Sequence, residues 1–250
     1  MAADQVVLHI GTHKTGTTSL QHFLHDHPDL LAAVDATYPA GMVIAASHSE
    51  LPLLALRTEL TWPARLRFPE TQQRAWLDAA RDHVEQQIAS CHTGTIIFSH
   101  EDLSYARFDE ELDLLRHLLA DLPARVILSL RERSAFLRSY GDQLEATGFA
   151  RSTDRSSFAY VGADSWLADY DSLVAAYRRR FGASSVTTID YEDELRRHGS
   201  VIPAFAALLG LAPASLPKLD GYFLNRSGVN LRPTEEQLAS IRRMLAEQAR

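Results

Sequence analysis

The 250-residue chain is long enough for one domain with a sizeable core, and its 46% hydrophobic and 23% charged residues are ordinary for a globular protein. Its 25 basic and 32 acidic residues give a formal net charge of −7, which offers no general reason to bind nucleic acid or anionic lipid. A single cysteine, Cys91, excludes an intrachain disulfide, and no apolar run approaches a membrane span or a signal segment, so we expect a cytoplasmic protein.

Short apolar runs rich in β-branched residues predict buried strands, and helical patterns separate them. In chain order we predict a strand at 6–10, helices at 18–25 and 70–90, a strand at 95–99, a helix at 108–119, a strand at 125–130, helices at 135–146 and 166–181, a strand at 186–189, and helices at 201–209 and 234–248. This alternation indicates an α/β fold, a parallel sheet with helices on both faces. Ligands in such sheets bind at the carboxyl ends of the strands. Two stretches, 148–163 and 212–230, fit neither pattern, and we expect them to be irregular.

The stretch GTHKTGTT, residues 11–18, connects the first predicted strand to the first helix. Gly11 and Gly16 permit backbone angles that bring amide hydrogens close to an anion. The helix that follows directs its positive end to the same place, the threonine hydroxyls add donors, and Lys14 adds a charge. The stretch therefore predicts a phosphate-binding loop.

This loop differs from the G-x-x-x-x-G-K-[ST] pattern of nucleotide-hydrolysing proteins, because Thr17 stands where the lysine belongs and Lys14 precedes the second glycine. A kinase with such a loop also needs an acidic residue on a neighbouring strand to hold magnesium, and Asp190 is the candidate. The strand at 125–130 leads instead into Arg131, which suggests a second anion site and argues against a metal. A P-loop kinase with a displaced lysine is one alternative function.

With the motif HIGTHKTGTTSLQ at 9–21, the sequence resembles bacterial sulfotransferases that use 3′-phosphoadenosine 5′-phosphosulfate (PAPS). The resemblance implies one P-loop-like sulfotransferase domain over 1–250. It implies transfer of a sulfuryl group from PAPS to a hydroxyl or amine of a glycan or small molecule, with release of PAP and no required metal. The implied 5′-phosphosulfate loop consists of Gly11, Thr12, His13, Lys14, Thr15, Gly16, Thr17 and Thr18. The resemblance places Lys14 at the family's lysine position, ahead of the second glycine, where it would stabilise the leaving phosphate.

The same resemblance implies a 3′-phosphate motif, an arginine at a strand end and a serine eight residues later. These are Arg131 and Ser139, with Arg133 and Arg138 as near alternatives. Arginine binds phosphate through two parallel hydrogen bonds, and serine adds one. A third segment similar to related bacterial sequences is expected to close over the nucleotide; its residues are Asn225, Arg226 and Ser227.

The acceptor must lose a proton, and a general base within hydrogen-bond reach accelerates that step. Glu101 is the first candidate, because it follows the strand at 95–99 and so lies at the carboxyl edge of the sheet beside the phosphate loop. His48 is the second candidate, and His13 is the third, more suited to shaping the loop. The histidines at 22, 25 and 27 lack partners at metal-ligand spacing, so we predict no metal.

A non-catalytic module that binds an adenosine nucleotide without a base is the other alternative function. The acceptor itself is left open among a sugar hydroxyl, a lipid glycan and a small metabolite. Residues 38–70 and 148–163, the least regular parts of the chain, are expected to form its wall.

Overall fold

The structure, a computed structural model, describes residues 3–222. Within them five strands form one sheet in the order β2-β3-β1-β4-β5, and every pairing between these strands is parallel. The strands are β1 (Gln5–His9), β2 (Ala36–Thr37), β3 (Thr95–Ser99), β4 (Ala124–Leu130) and β5 (Val186–Asp190). The expected α/β fold with a parallel sheet is confirmed.

Helices connect the strands. In the described residues they are α1 (Thr17–Asp26), α2 (Pro28–Ala32), α3 (Glu50–Ala55), α4 (Pro63–Arg67), α5 (Arg74–Ala89), α6 (Asp109–Leu118), α7 (Arg133–Ala146), α8 (Tyr170–Phe181), α9 (Tyr191–His198) and α10 (Ile202–Leu208). Short 3₁₀ helices include Glu101–Tyr105, directly after β3, and Trp166–Ala168, before α8. None of the helices within residues 3–222 is both long and apolar enough to cross a membrane.

The side chains of β1 alternate between two hydrophobic cores. Val6 and Leu8 belong to a core that includes buried residues of α5, α6, α7 and α8, whereas Val7 belongs to a core that includes residues of α1 and α10. Successive side chains of a strand point to opposite faces, so both faces of the sheet are covered. The prediction of helices on both faces is confirmed.

The structure adds elements where none were predicted. β2 has two residues, and α2, α3 and α4 have five or six each, so these elements are too short to produce a recognisable periodicity. α9 has eight residues, and its apolar side chains, Tyr191 and Leu195, are too few to produce a recognisable periodicity. The stretch 148–163 contains neither helix nor strand, as expected.

Two predicted helices begin differently from the prediction. The helix predicted at 166–181 is divided at Asp169, whose side chain accepts a hydrogen bond from Ser172 N and caps α8. The helix predicted at 70–90 starts as a 3₁₀ helix at Pro69–Gln72 and continues as α5. The helix predicted at 234–248 lies outside the described residues.

The strand order determines which residues surround the end of β1. β1 lies between β3 and β4, and His9 is in register with Ser99 on one side and Ile127 on the other. Because parallel strands end at the same edge, Glu101 after β3 and Arg131 after β4 lie on either side of the loop that follows β1.

Candidate functional site

The loop between β1 and α1 has two residues in the left-handed backbone region. Lys14 has φ 66° and Gly16 has φ 77°. Gly16 adopts this conformation without steric cost, whereas for Lys14 it costs about 1–2 kcal/mol. No side chain caps α1, so the amide groups of its first turn, which have no partners within the helix, are available to a ligand.

Gly11 is required for close packing behind this loop. A Cβ atom at Gly11 would lie 2.8 Å from Nε2 of His9. His9 is fully buried, and its ring nitrogens lie 2.8 Å from Ser99 Oγ and 3.3 Å from Ser129 Oγ. Burial lowers the pKa of His9 to about 3, so this ring is neutral and ties the three central strands together.

The loop threonines divide into two groups. Thr12 donates from its hydroxyl and from its backbone amide to Ser129 O, at 3.1 and 3.0 Å. Thr15, fully buried, donates from its hydroxyl to Thr12 O at 2.5 Å. Both hydroxyls therefore fix the shape of the loop. Thr17 is buried at the start of α1, and Thr18 is half-buried.

Lys14 lies among charged side chains. Burial, reinforced by Arg131, lowers the pKa of Lys14, while Glu101 and Asp142 act in the opposite direction. Arg131 donates from Nη1 to the backbone oxygen of Lys14 at 3.2 Å, and its Nε lies 3.3 Å from Glu192 Oε1. Two cations thus lie close together beside an uncapped helix end, an arrangement that an anionic ligand stabilises.

The other candidates for the second anion site have different surroundings. Ser139 is half-buried on α7, and its hydroxyl makes no hydrogen bond within residues 3–222. Arg133 pairs with Asp171 at 3.2 Å, and Arg138 donates to Ser134 Oγ at 3.2 Å. Of these three arginines, Arg131 is the one that the structure places against the phosphate loop.

Glu101 is held by a residue that sequence reasoning missed. Gln21 is buried on α1, and its Nε2 lies 3.3 Å from each of Glu101 Oε2, Ser99 O and Ser99 Oγ. The amide therefore links Glu101 to the end of β3. The sequence gives only a weak signal for this role. Gln21 lies one helical turn after Thr17, so both residues are on the same face of α1, and Thr17 adjoins the loop.

His13 lies in a buried cluster with residues that follow β3. Its Nε2 is 3.3 Å from Asp102 Oδ1, and its ring packs against Tyr105 and Tyr140, whose hydroxyls are 2.9 Å apart. Burial acts to raise the pKa of Asp102, but His100, His13 and the Trp62 N–H together lower it. The contacts of His13 are therefore those of a residue that shapes the loop.

His48 does not have the position expected of a base. It is fully buried, accepts a hydrogen bond at Nδ1 from Ser99 N at 3.0 Å, and lies with Nε2 2.9 Å from Pro39 O. Burial lowers its pKa to about 3 even though both backbone contacts oppose the shift. Both ring nitrogens are occupied, so His48 joins β3 to the segment before α3.

A cavity of about 170 Å³ opens beside these residues. Its lining mixes polar side chains, among them His13, His100, Glu101, Arg67 and Gln143, with apolar ones such as Pro63 and Leu144. The two stretches expected to form the acceptor wall differ here: part of the lining comes from 38–70 and none comes from 148–163.

The remaining candidates are Asp190 and three residues of the segment expected to close over the nucleotide. Asn225, Arg226 and Ser227 lie outside the described residues. Asp190 ends β5, which is separated from β1 by β4, and its side chain accepts from Asp193 N at 2.8 Å as the cap of α9. Within residues 3–222 no group of three His, Cys, Asp or Glu residues is arranged to hold a metal ion.

Comparisons with known proteins identify a family and a similar fold. A family model described as "Sulfotransferase family" matches residues 7–213. A crystal structure of a sulfotransferase from Alicyclobacillus acidocaldarius is similar, with a TM-score of 0.58 and 15% sequence identity over 99% of this chain and 93% of that one. At that identity the likeness concerns the fold. A comparison with curated proteins gives no significant match.

Proposed function

The chain belongs to the sulfotransferase family, and on that basis we propose that residues 1–250 form one domain that transfers a sulfuryl group from PAPS to a hydroxyl of an acceptor and releases PAP. The observation that supports this proposal most directly is the geometry of the phosphate loop. Lys14 and Gly16 in left-handed conformation lead into an uncapped helix, with Arg131 in contact with the loop.

The donor set fits a ligand with two separate anionic groups. The amides of the first turn of α1, with Lys14, suit a 5′-phosphosulfate. Arg131, with Ser139, suits a 3′-phosphate, because a guanidinium binds phosphate through two parallel hydrogen bonds. The proximity of Arg131 to Lys14 supports anion binding beside the loop, since their mutual repulsion diminishes when an anion binds.

PAPS, when bound, supplies the sulfuryl group together with a phosphate leaving group. Glu101 accepts the proton of the acceptor hydroxyl as the new O–S bond forms. Lys14 neutralises the charge that develops on the leaving oxygen as the old S–O bond breaks. Gln21 holds Glu101 in place, so that positioning and electrostatics account for the protein's contribution to this in-line displacement.

The kinase alternative has less support. The strands that flank β1 lead into Glu101 and Arg131, whereas Asp190 ends the edge strand and already caps α9. A non-catalytic module would share the whole anion site and would differ only in turnover.

Calorimetric titration with PAP, and separately with ATP and magnesium, tests the proposal. We expect PAP to bind without metal, and Arg131→Ala to weaken binding by about 10- to 100-fold, the effect of losing hydrogen bonds to a charged group. Arg179→Ala is the matched control, because Arg179 is an exposed arginine paired with Asp109 on α6. Binding of ATP with magnesium, together with indifference to PAP, would overturn the proposal. PAP binding without turnover on any acceptor would support the non-catalytic alternative.

A further inference from the structure

A buried hydroxyl group lies beside Arg131 at the carboxyl edge of the sheet. Tyr170 is the first residue of α8, and its hydroxyl is close to the Thr12 side chain and to the Arg131 backbone, which follow β1 and β4. The charges of Glu192 and Arg133 also act on this hydroxyl. Tyr170 therefore lies where the phosphate loop meets the end of β4.

The hydroxyl of Tyr170 makes no hydrogen bond of normal geometry within residues 3–222, although the residue is only 8% exposed. Burial raises the pKa of this group to about 12, whereas Thr12 and the Arg131 backbone act in the opposite direction. At neutral pH the group is therefore a protonated hydrogen-bond donor. Buried polar groups in folded proteins are nearly always hydrogen-bonded, so a buried donor without a partner points to a ligand atom that accepts from it.

Arg131 has a donor in the same state. Its Nε is buried and makes no hydrogen bond of normal geometry in the described part of the chain, although it lies 3.3 Å from Glu192 Oε1. The charge of Glu192 thus acts on both unpartnered donors. A phosphate that displaces this carboxylate from Arg131 carries more negative charge and offers three acceptor oxygens, enough for both donors.

Packing contacts hold the ring of Tyr170 in place. The ring lies edge-on to Phe136, with the two ring centroids 6.2 Å apart, and the Arg133 guanidinium carbon lies 5.9 Å from the tyrosine centroid. Because these contacts do not involve the hydroxyl, a ligand can engage that group without any loss of packing. A side chain that is already ordered also loses little conformational entropy when a ligand binds.

We propose that the Tyr170 hydroxyl donates a hydrogen bond to the 3′-phosphate that Arg131 binds, and that Tyr170 thereby helps the site to select nucleotides that carry this phosphate. The inference rests on the proposed function and adds a binding residue from α8. The state of the hydroxyl separates this role from a structural one. A hydroxyl that stabilises the fold makes its hydrogen bond without ligand, as that of Tyr177 does with Leu103 O at 2.8 Å.

The test measures binding of PAP and of adenosine 5′-monophosphate, which lacks the 3′-phosphate, by calorimetry. We expect Tyr170→Phe to weaken PAP binding about tenfold, the effect of losing one hydrogen bond to a charged group, and to leave monophosphate binding within about twofold. Tyr177→Phe is the matched control, because it removes a buried hydroxyl from the same helix, and it should change neither affinity. Unchanged PAP affinity in Tyr170→Phe, or an equal loss for both ligands, would overturn the inference.

Stability measurements and a double variant separate binding from folding. Tyr170→Phe removes an unpartnered buried hydroxyl, so its urea midpoint should equal or exceed that of the wild type, whereas Tyr177→Phe should have a lower one. In the Arg131→Ala background, Tyr170→Phe should weaken PAP binding by less than about threefold, because residues that contact one phosphate are coupled. A full tenfold loss in that background would contradict the shared phosphate. Failure of the wild-type protein to bind PAP would remove the proposed function itself.

Discussion

Arg131 donates from Nη1 to the backbone oxygen of Lys14 at 3.2 Å, so the end of β4 braces the phosphate loop at its left-handed residue. The direction of the Lys14 carbonyl fixes the direction of the Thr15 amide, because both belong to one planar peptide group. Arg131 therefore has two functions in the proposed site, since it supports the loop and offers its remaining N–H groups to a ligand.

We expect Arg131→Lys to keep the charge but lose the planar fork that serves both functions. PAP affinity should fall to a value between those of the wild type and Arg131→Ala. Hydrogen exchange at the amides of residues 12–16 should accelerate in both variants, because the brace on the loop is weaker. Arg179→Ala should change neither quantity. Loop exchange at the wild-type rate in Arg131→Ala would contradict the bracing function.

The left-handed conformation of Lys14 should carry a measurable cost. Lys14→Gly and Lys14→Ala both remove the ammonium group, but only glycine adopts φ 66° without steric cost. We expect Lys14→Gly to be more stable than Lys14→Ala by about 1 kcal/mol in chemical denaturation. Both should lose at least about 100-fold in turnover. Equal stability of the two variants would indicate that the loop relaxes when the lysine side chain is removed.

Gln21 should affect turnover more than donor binding. Gln21→Leu removes the N–H group that holds Glu101 Oε2 while keeping a side chain of similar length in a buried position. We expect kcat to fall about tenfold, with PAP affinity within twofold of the wild type. Gln21→Glu places a second carboxylate against Glu101 and should lower kcat further. A parallel loss of PAP affinity in Gln21→Leu would show that the residue supports the loop instead.

Buried titratable groups should give the stability of this protein a maximum near pH 6.5. Burial lowers the pKa of His9 and His48 from 6.5 to about 3, so between those values the unfolded chain binds protons that the folded chain does not, and stability rises with pH. Burial raises the pKa of Glu50 from 4.5 to about 8, so between those values the folded chain holds an extra proton and stability falls with pH.

The sum of these effects is testable with one variant. Among these three groups, the two histidines outweigh Glu50 from pH 4.5 to 6.5, and from pH 6.5 to 8 Glu50 alone acts, with a slope of about 1.4 kcal/mol per pH unit. We expect Glu50→Gln to remove the decline above pH 6.5 when unfolding by urea is measured at pH 5, 6.5 and 8. Glu85→Gln, an exposed glutamate on α5, is the control and should retain the decline. A decline that persists in Glu50→Gln would contradict this assignment.

The sequence predicted the parts of the site that local chemistry determines. The strand, glycines and lysine of residues 6–18 indicate an anion loop because each residue acts through its own backbone or charge. Gln21 was missed because its significance depends on a contact with Glu101 that only the folded chain brings about. His48 was a candidate base by residue type, but its burial between Ser99 and Pro39 depends on how the segment before α3 packs on β3.

The ion pair between Arg131 and Glu192 has a further consequence for selectivity. Glu192 Oε2 also accepts from Glu132 N at 2.9 Å, so its carboxylate is held in place while Oε1 lies 3.3 Å from Arg131 Nε. Any anion that approaches Arg131 therefore competes with a tethered carboxylate at high effective concentration. A carboxylate carries one negative charge, whereas a phosphate monoester carries about 1.5 to 2 at neutral pH. We therefore expect Glu192 to favour dianions over chloride and free carboxylates as ligands of Arg131.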